Sequence, residues 1–418
     1  MKQTVTSKNN IPQIRFSEFN TEWKIKKLGD IADVRDGTHE SPQYIDQGYP
    51  LVTSKNLLKN GLLDLHNVSY ISQKDYESIN KRSGVNEGDI LFGMIGTIGN
   101  PVQICTTGFA IKNVALIKNL GNLRNNYLIN YLNTSSIARQ FYTDNSGGTQ
   151  KFIALGVIRN LRIAIPQDSE QERIADFLTV VDSKITSLDK KVELMKKYKK
   201  GVMQKIFAQE IRFIDEQGNE YPDWEEKRFG DSYEFLKTNS LSRALLQTTG
   251  DVKNIHYGDI HTKLSANFDS AKEVLSYLTS QNNSDYCQPG DLIVADASED
   301  RKDAGRSVEV IKTHGEKIVA GLHTFLARPK IGIALGFSSY LMFSSQMRRQ
   351  LWRIATGASV LGISKTELGK LIINLPSKEE QQKIADFLTA IDDIIQLEER
   401  KLAEAKKFKK ALLHQMFV

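Results

Sequence analysis

Gln171-Glu172-Arg173-Ile174-Ala175-Asp176-Phe177-Leu178-Thr179 recurs 210 residues later as Gln381-Gln382-Lys383-Ile384-Ala385-Asp386-Phe387-Leu388-Thr389. The same offset pairs Ile165-Pro166 with Leu375-Pro376, and Lys196-Lys197-Tyr198-Lys199-Lys200 with Lys406-Lys407-Phe408-Lys409-Lys410. Ser146-Gly147-Gly148-Thr149 meets Thr356-Gly357-Ala358-Ser359. Nearer the start the offset is 201: Trp23 pairs with Trp224, and Leu28-Gly29-Asp30 with Phe229-Gly230-Asp231. Gly88-Asp89-Ile90-Leu91 matches Gly290-Asp291-Leu292-Ile293 at 202. Ordered matches along a chain of 418 residues mean an internal duplication, whose second copy carries about nine extra residues.

Each copy has two parts. Short β-rich runs such as Asp89-Ile90-Leu91-Phe92 and Asp291-Leu292-Ile293-Val294 alternate with glycine-containing turns. A helical stretch is expected at roughly Tyr127–Tyr142 and again at Phe337–Trp352. These parts read as α+β domains at 1–165 and 212–375. The second part of each copy is a long helix, 166–211 and 376–418. In the first, Ile174, Leu178, Val181, Ile185, Leu188, Val192 and Met195 step by four and three, the pattern of a coiled-coil seam, and Val202 and Ile206 extend it. In the second, Ile384, Leu388, Ile391, Ile395, Leu402, Leu412 and Met416 do the same, with Glu398 and Lys409 as interruptions. Pro166 and Pro376 block an earlier start, and Ser169/Glu172 and Ser377/Glu380 have capping-box spacing. A helix of about 40 residues is roughly 60 Å long. One such stripe cannot bury itself, so the two are expected to pair as an antiparallel coiled coil with pseudo-twofold symmetry.

Composition excludes several classes. Hydrophobic residues are 40% and charged residues 25%, an ordinary globular balance. Cys105 and Cys287 cannot build a disulfide framework or a four-ligand zinc site, and both are expected to be inert core residues. The polar Met1–Asn10 segment predicts no signal peptide, and Ile331–Phe343 is too short to span a bilayer, so a soluble cytoplasmic protein is expected. The net charge of +6 is uneven: residues 1–165 hold 19 Lys/Arg against 13 Asp/Glu, whereas 211–375 hold 20 against 21. Bulk charge therefore does not establish nucleic-acid binding.

No catalytic set emerges. There is no Walker A pattern, and Gly93-Met94-Ile95-Gly96-Thr97-Ile98-Gly99 lacks dinucleotide-loop spacing. Pro222-Asp223 with Glu225-Glu226-Lys227 has nearly adjacent carboxylates, unsuited to a nuclease metal site, and Trp224 there looks like core or interface. The seven histidines (His39, His66, His256, His261, His314, His323 and His414) are scattered, and no metal site is expected.

The whole chain resembles the DNA-specificity subunit of type I restriction–modification systems. The resemblance rests on the paired Ile165-Pro166 and Gln171–Leu178 blocks with their second copies, the Gly-Asp runs at 88 and 290, and the two entry tryptophans. It implies two target-recognition domains, each reading one half of a bipartite, asymmetric double-stranded DNA site, with the helix pair measuring the unread spacer. It also implies a non-catalytic chain without cofactor. Two methyltransferase (modification) subunits and, in the full complex, two endonuclease/translocase subunits would carry S-adenosylmethionine, ATP and Mg²⁺.

Candidate DNA-facing residues sit in polar, glycine-bearing loops. In the first copy they are Arg35, Thr38 and His39 (beside Asp36 and Gly37), then Ser54, Lys55 and Asn56 (beside Thr53), and Thr149, Gln150 and Lys151 (beside Gly148). In the second they are Tyr257, Asp259, His261, Thr262 and Lys263, then Ser298, Arg301 and Lys302 (beside Glu299 and Asp300), and Ser359. Their side chains suit base edges or phosphates. The two lysine-aromatic runs have three open readings: phosphate contact in the spacer, a solvated helix face, or a partner-subunit contact. Two other functions remain open at this level: a coiled-coil scaffold with two protein-binding domains, and an enzyme with unrecognised motifs.

Overall fold

The computed structural model describes residues 10–121, 123–144, 152–279 and 283–418, without the side chains of 142–144. The chain divides into two compact units, one reaching to Asp189 and including Arg400–Val418, the other Lys190–Glu399. The long helices, Asp168–Phe207 and Lys378–Gln415, each contribute one part to each unit.

In the first unit, Ala32–Asp36, Val114–Asn119, Ile90–Gly93 and Gly99–Gln103 form an antiparallel sheet in that order. A second sheet orders Tyr44–Ile45, Ser69–Ile71, Tyr49–Val52 and Ala110–Ile111, the last two parallel. Lys24–Lys27 pairs antiparallel with Arg162–Ile165, just before the first long helix. Trp23, Tyr127, Tyr131, Ile174 and Leu178 are buried together with Leu412, Met416 and Phe417 from the end of the second long helix. Trp23 and Phe417 meet edge to face at 6.4 Å. Asp189 pairs with Lys406 at 3.3 Å and Asp182 with Lys409 at 2.6 Å, so the helices run antiparallel here.

The second unit repeats this plan. Its main sheet orders Tyr233–Leu236, Thr324–Pro329, Leu292–Ala295, Ser307–Lys312 and Asn267–Asp269, and a second orders Leu246–Gln247, Ser276–Leu278, Val252–Ile255 and Lys317–Ala320. Glu225–Arg228 pairs with Ile372–Leu375 ahead of the second long helix. Trp224 packs on Phe207 at 6.1 Å, the counterpart of the Trp23–Phe417 contact. Lys191–Glu398, Lys196–Glu399 and Lys199–Asp392, at 3.0, 2.6 and 2.6 Å, repeat the antiparallel pairing.

Of the seam positions, Ile174, Leu178, Leu188, Val192, Ile384, Leu388, Ile391 and Ile395 are buried, while Val181, Ile185 and Leu402 are half-buried. Two helices alone cannot enclose every seam residue. Both heptad interruptions are explained: Glu398 is buried beneath Lys191, and Lys409 reaches Asp182.

Four expectations need correction. The helices expected at Tyr127–Tyr142 and Phe337–Trp352 are each broken in two, as Asn125–Leu132 with Ser135–Asp144, and Phe337–Phe343 with Ser345–Ile354. The Thr134 and Ser344 hydroxyls at the breaks accept from the amides of Ile137 and Met347, capping a new helix in place of continuing the old one. Ser169 lies inside the first long helix, and Glu172 pairs with Arg124, so no capping box forms there. Ser377 does cap, accepting from the Glu380 amide, but the Glu380 side chain is engaged elsewhere. Cys105 is exposed, only Cys287 being buried.

Candidate nucleic-acid interface

The helix-start motif works as a bracket. Glu170 is fully buried and accepts from Arg15 Nε and Nη2, both at 2.7 Å, and from the Trp23 indole at 3.2 Å. Glu380 is equally buried and accepts from Arg212 Nε at 3.1 Å, Arg212 Nη2 at 2.7 Å and Trp224 at 3.1 Å. Phe16 meets Phe177 edge-on, and Phe213 meets Phe387 likewise. Gln171 and Gln381 each donate to the carbonyl of the preceding proline and accept from a domain backbone amide, Arg124 or Ala334. These ties were legible but missed, since Ile14-Arg15-Phe16 recurs as Ile211-Arg212-Phe213.

A second shared support lies in the strand turns. Gly88 and Gly290, both at positive φ, precede Asp89 and Asp291. The two aspartates accept from the amides of Asn86 and Gln288 and from the cations Lys118 and Arg328.

From this scaffold, loops converge at one end of each domain. In the first, Thr38 N donates to Ile111 O, Asn113 N to Thr38 O, and Ser54 Oγ to Asn113 O. Ser54 Oγ in turn accepts from Met94 N, and Ile153 N donates to Met94 O. In the second, Asn239 N donates to Ala320 O, Tyr257 N to Leu322 O, Asp296 N to His323 O and Ile363 N to Asp296 O. Asn113 and His323 hold the same strand-entry position at φ of 57° and 56°. The turn capped by Thr53 and Asn56 corresponds to the helix Tyr257–Thr262, capped by His256 and Asp259. Gly37 permits the close approach, because a Cβ there would stand 2.3 Å from Ile111 O.

The structure gathers most of the candidate residues at these two faces but gives them unequal roles. In the first face His39 and Lys55 are exposed and Thr38 half-buried. His39 bridges Asn113 Oδ1 and Asp36 Oδ2 at 2.8 Å each, and Asp36 also holds Arg82. The Asp36 hydrogen bond raises the His39 pKa above its usual value. Burial pulls Asp36 upward, but the His39 bond and the Arg82 charge outweigh it and hold the carboxyl low.

Ser54 and Asn56 lie beneath the surface with their hydrogen bonds spent on the loop, Asn56 on Thr53, Asp64 and Asn67. Arg35 lies on a strand, bonded to Asp33 and to Arg82 O, and borders a separate open cavity with Tyr76, Asn80 and Lys118. Thr149, Gln150 and Lys151 lie outside the described residues.

In the second face Thr262, Lys263, Arg301, Lys302 and Ser359 are exposed. Tyr257 is half-buried, with His323 edge-on at 5.3 Å, and His261 Nε2 bonds Ala297 O at 2.9 Å. Asp259 is buried and held by Arg243 and Lys263. Ser298 is buried against Asp300. Ala297–Ser298 pairs with Leu361–Gly362, so the strand that leads into the Arg301–Lys302 turn is tied to the hairpin that carries Ser359. Buried Asp259 and Ser298, like Ser54 and Asn56, support the face from below. The two positive-φ residues had no sequence signal.

In the lysine-aromatic runs, Lys196, Lys199, Lys406 and Lys409 pair with carboxylates of the opposite helix, while Tyr198 and Phe408 stay exposed. Among the described residues no cluster of His, Cys, Asp and Glu could hold a metal ion, and no helix is long and apolar enough to cross a membrane.

A duplicated α+β domain with paired long helices and two equivalent loop faces defines a class. Residues 20–196 and 221–407 match the type I restriction modification DNA specificity domain, and the chain belongs to that family. It is 22% identical to the type I restriction enzyme MjaVIII specificity subunit of Methanocaldococcus jannaschii, over 94% of this chain and 91% of that one. In fold it is similar to the type I restriction-modification S subunit of M. genitalium, with a TM-score of 0.58 at 14% identity, covering 98% of this chain and 99% of that one. A chain solved in a study of assembly and conformational transition of the type I system gives 0.56 at 15% identity, over 94% and 96%.

Proposed function

We propose that this chain is the non-catalytic, sequence-specific DNA-binding subunit of a type I complex, recognising a bipartite, asymmetric site with one half-site per loop face. The observation that carries this is the pair of faces: the same backbone convergence displays His39, Lys55 and Asn113 in one copy and Tyr257, Lys263, Arg301 and His323 in the other. Equal frames with unlike side chains suit unlike half-sites. We take 1–165 and 212–375 as the target-recognition domains, and 166–211 and 376–418 as the helices. Of the candidate residues, we take Thr38, His39, Lys55, Tyr257, His261, Thr262, Lys263, Arg301, Lys302 and Ser359 as those that reach DNA, since none of them is buried. Two modification subunits and two endonuclease/translocase subunits complete the assembly in the cytoplasm, and S-adenosylmethionine, ATP and Mg²⁺ belong to them.

Exchanging 212–375 for the matching domain of another family member, followed by methylome sequencing, tests this. One half-site changes and the other stays; loss of both would contradict one reader per domain.

A further inference from the structure

The second copy's extra length is partly spent beside its loop face. Alignment of the copies drifts from 202 at Met94/Asp296 to 206 at Val102/Val308, so four residues are inserted in this loop. Where the first copy has the uncharged Gly93–Gly99 run, the second has 295–305, charged with Arg301 and Lys302 among four carboxylates, and Arg306 follows it. The neighbouring helix Ser345–Ile354 adds Arg348, Arg349 and Arg353, whose counterparts at the 210 offset are Ala138, Arg139 and Thr143.

The cluster is built, not merely populated. Arg301 donates to Trp352 O at 3.2 Å, Arg348 donates to Lys302 O at 2.5 Å, and the Arg348 guanidinium lies 6.0 Å from the Trp352 ring centre. Turn and helix are thereby tied together, and the helix runs straight into the loop that carries Ser359. Four carboxylates share the loop: Asp296 pairs with His323 at 3.1 Å, Asp300 caps Lys302 N, Asp303 sits with Arg306 at 3.6 Å and Glu299 is exposed, so the excess positive charge lies on the helix and not on the loop. Arg349 and Arg353, four apart on one helix stripe, are exposed, and no ion pair among the described residues engages them. In the first copy Arg139 turns back onto its own helix, donating to Ser135 O.

We propose that Arg349 and Arg353, with Arg301 and Lys302, form a phosphate-binding extension of the second loop face that the first domain lacks. It grips the backbone of the same duplex whose bases the face reads. This inference rests on the DNA-reading function proposed above. Arginine is suited to it, since its planar fork binds phosphate oxygens in pairs and its charge persists at every working pH. The two domains thus differ in grip as well as in sequence choice: the second holds by added sequence-independent charge, the first by its loop face.

The test uses the assembled chain with its modification subunits and the double variant Arg349→Gln/Arg353→Gln. Duplex affinity is measured across a salt series on the cognate site and on random DNA. Each lost phosphate contact flattens the slope of log K against log salt by about 0.9, so a fall of up to about 2 is expected, equal on both DNAs. The cognate-to-random ratio and the melting temperature stay unchanged, and Arg139→Gln leaves the slope as it is. An unchanged slope overturns the proposal. So does weakened assembly with the modification subunits at an intact slope, which would assign the patch to an acidic protein surface. Absence of any cognate preference in the unmodified complex would instead sink the specificity function, and the salt slope would still judge the patch.

Discussion

The two copies agree where a domain meets its helices and disagree where its loops meet solvent. Glu170 and Glu380 take the same arginine and tryptophan donors, and Gln140 and Gln350 each bond both sides of one strand residue, Arg162 or Ile372. Buried polar groups need every partner, so a change at such a joint is costly and the joint persists through divergence. Loop side chains over a satisfied backbone carry no such constraint. Asn113 and His323 share one backbone conformation and carry unlike side chains. Such a frame fixes the backbone and frees the side chains.

That comparison can be broken most sharply at the brackets. Glu170→Ala and Glu380→Ala each leave a half-buried guanidinium and an indole without their carboxylate, the guanidinium keeping only backbone carbonyls. Each is expected to destabilise its own unit by about 3 kcal/mol or more, seen by calorimetry as a lowered transition. Trp23 is 1% exposed whereas Trp224 is half-buried, so the first variant should suffer more. If only one variant shifted, the two joints would not be equivalent.

A smaller difference concerns Glu309, which stands where the first copy has Gln103 in the matching strand. Glu309 is buried, accepting from the amides of Gly336 and Ser339, and burial pushes its pKa up from 4.5 to about 7. Between those values the folded state holds more protons than the unfolded chain. Stability of the second unit therefore falls as pH rises through that window and levels off above it, by on the order of 2 kcal/mol. Glu309→Gln should flatten this dependence between pH 5 and 8, whatever it does to absolute stability. An identical slope in the variant would remove Glu309 as its source.

The smallest effect is expected at the first face. His39 should titrate above its ordinary value by NMR, because the Asp36 carboxylate and the Asn113 amide favour the imidazolium. The raised pKa makes the pair's contribution largest at low pH within the range where Asp36 stays ionised, and it fades as pH rises through the His39 pKa. His39 is half open to water, which limits the contribution to a fraction of a kcal/mol. Asp36→Asn should return His39 toward its usual value; no movement would place the cause elsewhere. At the 201 offset the second copy has Ser240 in place of His39, and the His–carboxylate pair of its face is His323 with Asp296, at 3.1 Å.

Much of this molecule was written in local pattern. The 210-residue repeat, the heptads and the blocking prolines require only knowledge of spacing, because helix periodicity and duplication are properties of the chain. The capping assignments failed partly because Glu380 satisfies a distant arginine and tryptophan, a choice made by tertiary packing. The loop candidates share two neighbourhoods of the structure but differ there as individuals. Ser54 and Lys55 are adjacent and equally polar, yet one is buried under Met94 and Asn113 and the other faces water. Sequence alone therefore determined that there are two copies, two long helices and two sets of polar loops. Only the folded structure decided which loop residues support and which remain free, because burial and hydrogen-bond partners come from segments far apart in the chain.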